Sequence, residues 1–219
     1  MAHEAGGARV TVAAILLAAG ASSRMGEPKP LVRWAGRTLI EWELEQLLAS
    51  CVDDIVVVAG NRAEAVRRVL GEGERYLVFN QRWPQGRATS LAKGAAALLA
   101  PGRPRPSAVV VQNVDQPAPA RVIDRLVATF QARQAEGSRI EGVQPVYTDA
   151  TGREHGGHPV VLDGDLLEEL ARADEEGEGL RAILQRHPPL RLPMPDEPSV
   201  ALDLDTPEAL AEGRRVLGA

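Results

Sequence analysis

Apolar residues come along this chain in two kinds of run. Val10 to Leu17, Asp54 to Gly60, Tyr76 to Phe79 and Ser107 to Val114 are short stretches dominated by Val, Ile, Leu and Ala or bounded by polar turn residues. Runs of that length predict strands buried on both faces. Between them, apolar positions recur at helical spacing: Leu39, Ile40, Trp42, Leu44, Leu47 and Leu48; Ala63 to Leu70; Leu91, Ala95, Leu98 and Leu99; and Ile123, Leu126, Val127 and Phe130 within Ala120 to Ala135. Thr38 and Glu41 have capping-box spacing, Asn61 is placed to cap the second helix, and Thr89 or Ser90 to begin the third. Strands alternating with helices in this way predict an α/β fold, a single three-layer α/β/α domain on a mostly parallel sheet. Further on, Ile140 to Tyr147 and His158 to Leu162 flank a polar tip, Thr148 to Arg153, and predict an antiparallel hairpin. Asp165 to Ala171 and Leu180 to Gln185 read as short helices. Val200, Leu202 and Leu204 alternate with Asp203 and Asp205, so a last short strand is expected with both carboxylates on one face. Thr206 and Pro207 then open a closing helix.

Composition narrows the function classes. The 219 residues suit one domain, taken as residues 10–219 behind a disordered tail at 1–9. A net charge of −5 opposes general nucleic-acid affinity, and 3% aromatic residues leave little for stacking on single strands. Apolar runs are strand-length and no secretory pattern opens the chain, so no membrane partner is expected and the cytoplasm is the default location. Cys51 is the sole cysteine, which rules out an internal disulfide or a cysteine zinc site. Its neighbours Leu47, Leu48 and Val52 predict a buried thiol. Trp34 and Trp42 are expected in the core.

The chemistry concentrates where strands end. After the first strand come two glycines, two serines and the cations Arg24 and Lys29. Small residues let a phosphate approach the backbone, and the two cations neutralise it, Arg as a planar fork and Lys as a point charge. Neither G-x-G-x-x-G nor G-x-x-x-x-G-K-[ST] is present, and Lys29 lies between Pro28 and Pro30, which predicts an extended segment. The stretch from Asn80 to Leu91 leaves the third strand at its carboxyl end and runs into a helix start. Asp115 ends the fourth strand, where a single acid either caps the next helix or holds Mg²⁺. Ligands of such sheets bind beyond the carboxyl ends of the strands, so these loops are expected to share one crevice. Asp205 either caps the last helix or shares a cation with Asp203. His155 reads as a solvated loop residue, and Glu175, Glu176 and Glu178 as a solvated acidic turn.

Leu17 to Lys29 spell L-A-A-G-x-S-x-R-M-G-x-x-K, which resembles the N-terminal signature of the MobA-like nucleotidyltransferases, a group that includes the molybdenum-cofactor cytidylyl- and guanylyltransferases. Further stretches are similar to the family's motifs in the same order. These are N-x-x-W-x-x-G-x-x-[ST]-S-L from Asn80, D-x-P at Asp115, G-x-P-V from Gly157 and D-x-D-T-P-E from Asp203. Arg87 departs from the small or Met residue common at its place. The resemblance implies a Rossmann-like fold of the nucleotide-diphospho-sugar transferase type and an NTP donor. It implies Mg²⁺ on Asp115 and Asp205, and Arg24 and Lys29 on the triphosphate. Leu17, Ala18, Ala19, Gly20, Gly86, Thr89 and Ser90 would hold the nucleotide, and His158 would face a phosphate-bearing acceptor. Within the family L-A-A-G accompanies cytidylyltransferases, so Ala19 points to CTP and a molybdopterin acceptor, with a molybdoenzyme or its chaperone as a further contact. Three other readings stand beside this one: a guanylyl- or sugar-phosphate nucleotidyltransferase of the same fold, a non-catalytic nucleotide-binding accessory protein, and a Rossmann-type oxidoreductase, which the missing fingerprint disfavours.

Overall fold

The computed structural model describes residues 11–20, 27–174, 176 and 179–219. The expected tail, the acids Glu175 and Glu178, and Arg24 with the rest of residues 21–26 lie outside the described residues. The first apolar run is β1 (Val12–Ala18), the centre of the sheet. A small hairpin, β2 (Arg33–Trp34) with β3 (Arg37–Thr38), leads into α1 (Leu39–Ala49). Then come β4 (Asp54–Ala59), α2 (Ala63–Leu70), β5 (Leu77–Phe79), α3 (Arg87–Leu98), β6 (Ala108–Asn113) and α4 (Ala120–Ala135). The chain continues with β7 (Gly142–Thr148), β8 (Glu154–Gly156), β9 (Val160–Asp163), α5 (Leu167–Leu170), α6 (Leu180–Arg186), β10 (Leu190–Pro193) and α7 (Pro207–Leu217).

The main sheet has the order β10-β7-β9-β6-β1-β4-β5, with β8 paired to β7. β1 runs parallel to both β4 and β6, while β9 is antiparallel to β6 and β7. The three-layer α/β fold with a mostly parallel sheet and an antiparallel insertion is therefore as expected. The strand that returns from the Thr148–Arg153 tip is β8, whereas β9 wedges between β7 and β6. Period-two alternation assigns the two faces. Val12, Ala14 and Leu16 join α1 and α4 in one core, and Ala13 and Ile15 join α3 and α5 in the other. Burial of this kind supplies roughly 25 cal/mol per Å² of apolar surface, which is why a continuous Val/Ile run needs cover on both sides. Gly94 lets α3 approach: a Cβ there would lie 2.4 Å from Ile15 and 3.0 Å from Val58.

Several local expectations are corrected. Asn61 does not cap α2, because its N–H donates to the Ala19 carbonyl at 3.2 Å and Arg62 takes the cap position with φ +56°. Lys29 opens a 3₁₀ turn, Lys29–Leu31, instead of an extended segment. Thr89 and Ser90 lie inside α3, whose cap is Gly86. The expected strand at Val200–Leu204 is a 3₁₀ turn (Pro198–Ala201) and an extended, unpaired stretch, although Leu202 and Leu204 are buried and alternate with the two acids as predicted. Cys51 is exposed, because α1 ends before it, and Leu48 is half exposed at 50%. Trp34 is buried and meets Trp42, partly buried, edge to face at 6.0 Å. Among the described residues no helix is long and apolar enough to cross a membrane.

One ion network makes stability depend on pH. His187, at the end of α6, sits between Glu141 and Glu169, each 2.9 Å from a ring nitrogen. The hydrogen bond to Glu141 outweighs burial and, with Glu169, raises the His187 pKa above its ordinary value. A raised folded pKa stabilises fully below the unfolded value of about 6.5 and ceases to do so as pH rises through the folded value. The melting temperature is therefore expected to fall across that rise, and His187→Gln to flatten this part of the profile in thermal melts; an unchanged profile would contradict it.

Candidate functional site

The carboxyl ends of β1 and β6 deliver two loops to the same edge of the sheet, as parallel pairing requires. Val114 N–H donates to the Leu17 carbonyl at 3.0 Å, which extends the β1–β6 ladder one step and fixes where Asp115 emerges. The last segment is tied in by main chain as well: Leu204 N–H donates to the Asp115 carbonyl at 2.8 Å. Alternation about Leu204 then turns Asp203 and Asp205 toward Asp115. One carboxylate oxygen from each of the three acids lies within 4.8 Å of the others.

Lys29 reaches into this cluster. Its ammonium donates to Asp115 Oδ2 at 2.6 Å and to Asp205 Oδ1. Burial works against the ammonium, but the two hydrogen bonds prevail and hold its pKa above 10.5. Asp203 has the opposite balance: desolvation first, then the charges of Asp115 and Asp205, raise its pKa, against the pull of Lys29 and Arg87. Three hard oxygen donors this close together, partly solvated and already attracting a cation, match what Mg²⁺ or Mn²⁺ takes from a protein. Asp203, placed behind Asp205 as a ligand on the sequence, belongs to the same cluster but is the exposed member of the three.

A cavity of about 370 Å³ opens beside the acids. Its walls carry Leu17, Ala19, Gly20, Lys29, Gly86, Ser90, Asp115 and Asp205 from the sequence expectations, together with Trp83, Arg87 and Asn113. Trp83 is seated by Gly60, where a Cβ would lie 2.5 Å from the Trp83 Cβ and 2.9 Å from that of Ala19. Ala18 is buried behind the wall. Thr89 also turns inward: it accepts from Asn80 Nδ2 at 2.9 Å and donates to the Gly86 carbonyl at 2.8 Å, so it braces the loop and is not among the residues lining this cavity. Asn80 Nδ2 also reaches Ser90 Oγ at 3.0 Å.

His158 is not in that cavity. It lines an adjoining one of about 560 Å³ that shares Leu17, Arg87 and Asn113 with the first and adds Gln144, Arg181 and Arg191. Burial holds His158 neutral, with its pKa lowered to about 4, and its Nδ1 has no hydrogen-bond partner among the described residues. His155, expected to be solvated, is held instead by Asp149 at 2.6 Å and stacked on Tyr147. It belongs to the β7–β8 hairpin.

Residues 14–190 match the MobA-like NTP transferase domain. The chain belongs to that family. As a MobA-like protein it is an enzyme of the nucleotidyltransferase class. Among its relatives, a nicotine blue oxidoreductase from Paenarthrobacter nicotinovorans is 30% identical over 203 residues, 91% of this chain and 94% of that protein. A molybdenum cofactor guanylyltransferase from Rhizobium leguminosarum bv. trifolii is 31% identical over 222 residues, 96% of this chain and 95% of that protein. The crystal structure of Rv0371c from Mycobacterium tuberculosis H37Rv is 26% identical, with a TM-score of 0.72 over 96% of this chain and 98% of that one. The MobA-like match thus spans the loops at Lys29, Gly86 and Asp115 and stops before the segment that brings Asp203 and Asp205.

Proposed function

We propose that this enzyme transfers CMP from CTP to the phosphate of a molybdopterin-type acceptor and releases pyrophosphate, with Mg²⁺ as its cofactor. The observation that carries this reading is the meeting of Lys29 with Asp115, Asp203 and Asp205 beside the cavity lined by the Gly20 and Gly86 loops. An oxygen of the acceptor phosphate attacks the α-phosphorus, and the bond from the α-phosphorus to the pyrophosphate oxygen breaks. A phosphate nucleophile is already ionised, so the residues need only position and neutralise charge. Asp115, Asp203 and Asp205 would hold Mg²⁺, which when bound offsets the charge gathering on the phosphates. Lys29, and Arg24 with it, would neutralise the triphosphate and the departing pyrophosphate. Backbone from Leu17 to Gly20 and from Gly86 to Ser90 would hold the nucleoside. Ala19 lines the cavity, and the choice of CTP rests on the resemblance of L-A-A-G to the cytidylyltransferase form of the motif. The adjoining cavity, with His158 and its arginines, would take the acceptor. Free nucleotide donors place the reaction in the cytoplasm, where a molybdoenzyme or its chaperone would receive the product.

Oxidoreduction is favoured as a second reading by the name of one relative alone. It gives the acid cluster and Lys29 no task. Pyrophosphate release measured with each of the four NTPs, Mg²⁺ and purified molybdopterin separates the readings. Release with CTP above the other three is expected. Release with GTP instead would move the donor assignment to the guanylyl side, and no release with any NTP would favour binding or redox chemistry.

A further inference from the structure

One buried titratable group has no part in the mechanism above. Glu43, in the middle of α1 between Trp42 and Leu44, is 0% exposed, and neither carboxyl oxygen has a hydrogen-bond partner among the described residues. An ionised carboxylate in such a place would cost several kcal/mol unless compensated. Desolvation drives its pKa well above the carboxylate range; the Gln112 side chain and the Ala118 backbone, near Glu43 but outside hydrogen-bonding geometry, oppose this, and the charge of Asp115 adds to it. A carboxyl group buried in this way favours its neutral form, which is able to donate as well as accept.

Gln112 is its counterpart. It lies on the face of β6 that looks toward α1 and α4, is 0% exposed, and its Oε1 also has no partner among the described residues. Its Nε2 is fully engaged: it donates to the Asn113 carbonyl at 3.1 Å and to the Gln116 carbonyl. Those two carbonyls bracket the turn that presents Asp115. An acceptor lacking a donor thus neighbours an acid whose proton lacks an acceptor.

We propose that Glu43 is a positioning residue for Asp115, acting through Gln112. The Glu43 O–H donates to Gln112 Oε1 and fixes which way the amide faces. The amide NH₂ then grips the carbonyls on either side of Asp115, so the carboxylate meets Lys29, Asp203 and Asp205 in one geometry. A charged Glu43 would accept instead of donate and would draw the NH₂ off the turn. Supports of this kind govern how well a ligating carboxylate binds its metal, and this inference rests on the reading of Asp115 as such a ligand.

The test compares Glu43→Gln, which keeps one donor and one acceptor in the same shape, with Glu43→Leu, which keeps neither. In the metal-free protein, amide hydrogen exchange across residues 113–117 should quicken by roughly tenfold or more in Glu43→Leu, stay near wild type in Glu43→Gln, and stay unchanged across β1 and β4 in both. Mn²⁺ affinity, read from the electron paramagnetic resonance of the free ion, should fall about 10- to 100-fold in Glu43→Leu and be rescued in Glu43→Gln. Wild-type exchange in a folded Glu43→Leu protein would overturn the proposal, as would equal damage from both substitutions. Should Glu43→Leu fail to fold, the double change Glu43→Met with Gln112→Met removes both polar groups at once, and the same loosening of 113–117 is expected of it. Failure of the wild-type protein to bind Mn²⁺ would remove the metal reading, while the exchange comparison would still decide the part played by Glu43.

Discussion

Exchanging Asp115 for asparagine is expected to lower metal-dependent pyrophosphate release by a factor on the order of 10²–10³. The substitution keeps size and shape, so the turn between β6 and α4 should survive it. What it removes is one of three charges gathered within 4.8 Å, and the acid that Lys29 meets at 2.6 Å. Lys29 would retain Asp205, so the ammonium would not be stranded. Asp203 would lose a repulsive neighbour, so the variant should fold at least as well as wild type. Activity and thermal stability therefore separate, which a merely structural Asp115 would not allow. A titration of the divalent cation should show a weaker apparent affinity, and full turnover at wild-type cation concentrations would reject Asp115 as a ligand.

Lys29→Ala is expected to cost turnover a factor on the order of 10² or more, through loss of the charge that balances the phosphates. Its second effect is on stability. The Lys29 side chain is only 11% exposed and the side chains of the acids it bridges are 19% and 32% exposed, so the pairing is partly shielded from water. Removing the cation leaves three carboxylates repelling one another, at a cost of roughly 1–3 kcal/mol once solvent screening is allowed for. That cost falls as the pH is lowered, because carboxyl groups whose folded pKa is raised regain stability on protonation. Added Mn²⁺ should recover the same loss at neutral pH. Thermal melts with and without Mn²⁺ decide the matter: a variant indifferent to both pH and cation would show that Lys29 and the acids are not coupled.

The sheet and its covering helices were legible because buried strands and amphipathic helices leave periods in the sequence that tertiary packing then reinforces. α4 spans the same residues that its apolar period marks, Ala120–Ala135. Local rules failed where longer-range contacts took over. Asn61 has a good capping side chain, yet its N–H is drawn to Ala19 and the cap moves on by one residue. The alternation around Leu204 is real, but it reflects one main-chain bond to Asp115 and packing against the core, with no ladder partner. At the site, the convergence of Lys29 with the acids was readable because charged residues at strand ends have few structural uses. Glu43 was not, since one acid among apolar helix positions looks like an ordinary exposed face until β6 is laid against it.

The seat of Trp83 has a consequence for how base preference is set. Gly60 contributes no atom beyond its main chain, yet that emptiness is what lets the indole lie against β4 and Ala19. Any side chain at that position would displace the ring. On the proposed reading of this cavity as the nucleoside site, selectivity would then be governed partly by a residue that never touches the ligand, and a search for its determinants confined to contacting side chains would miss the one that works by leaving space.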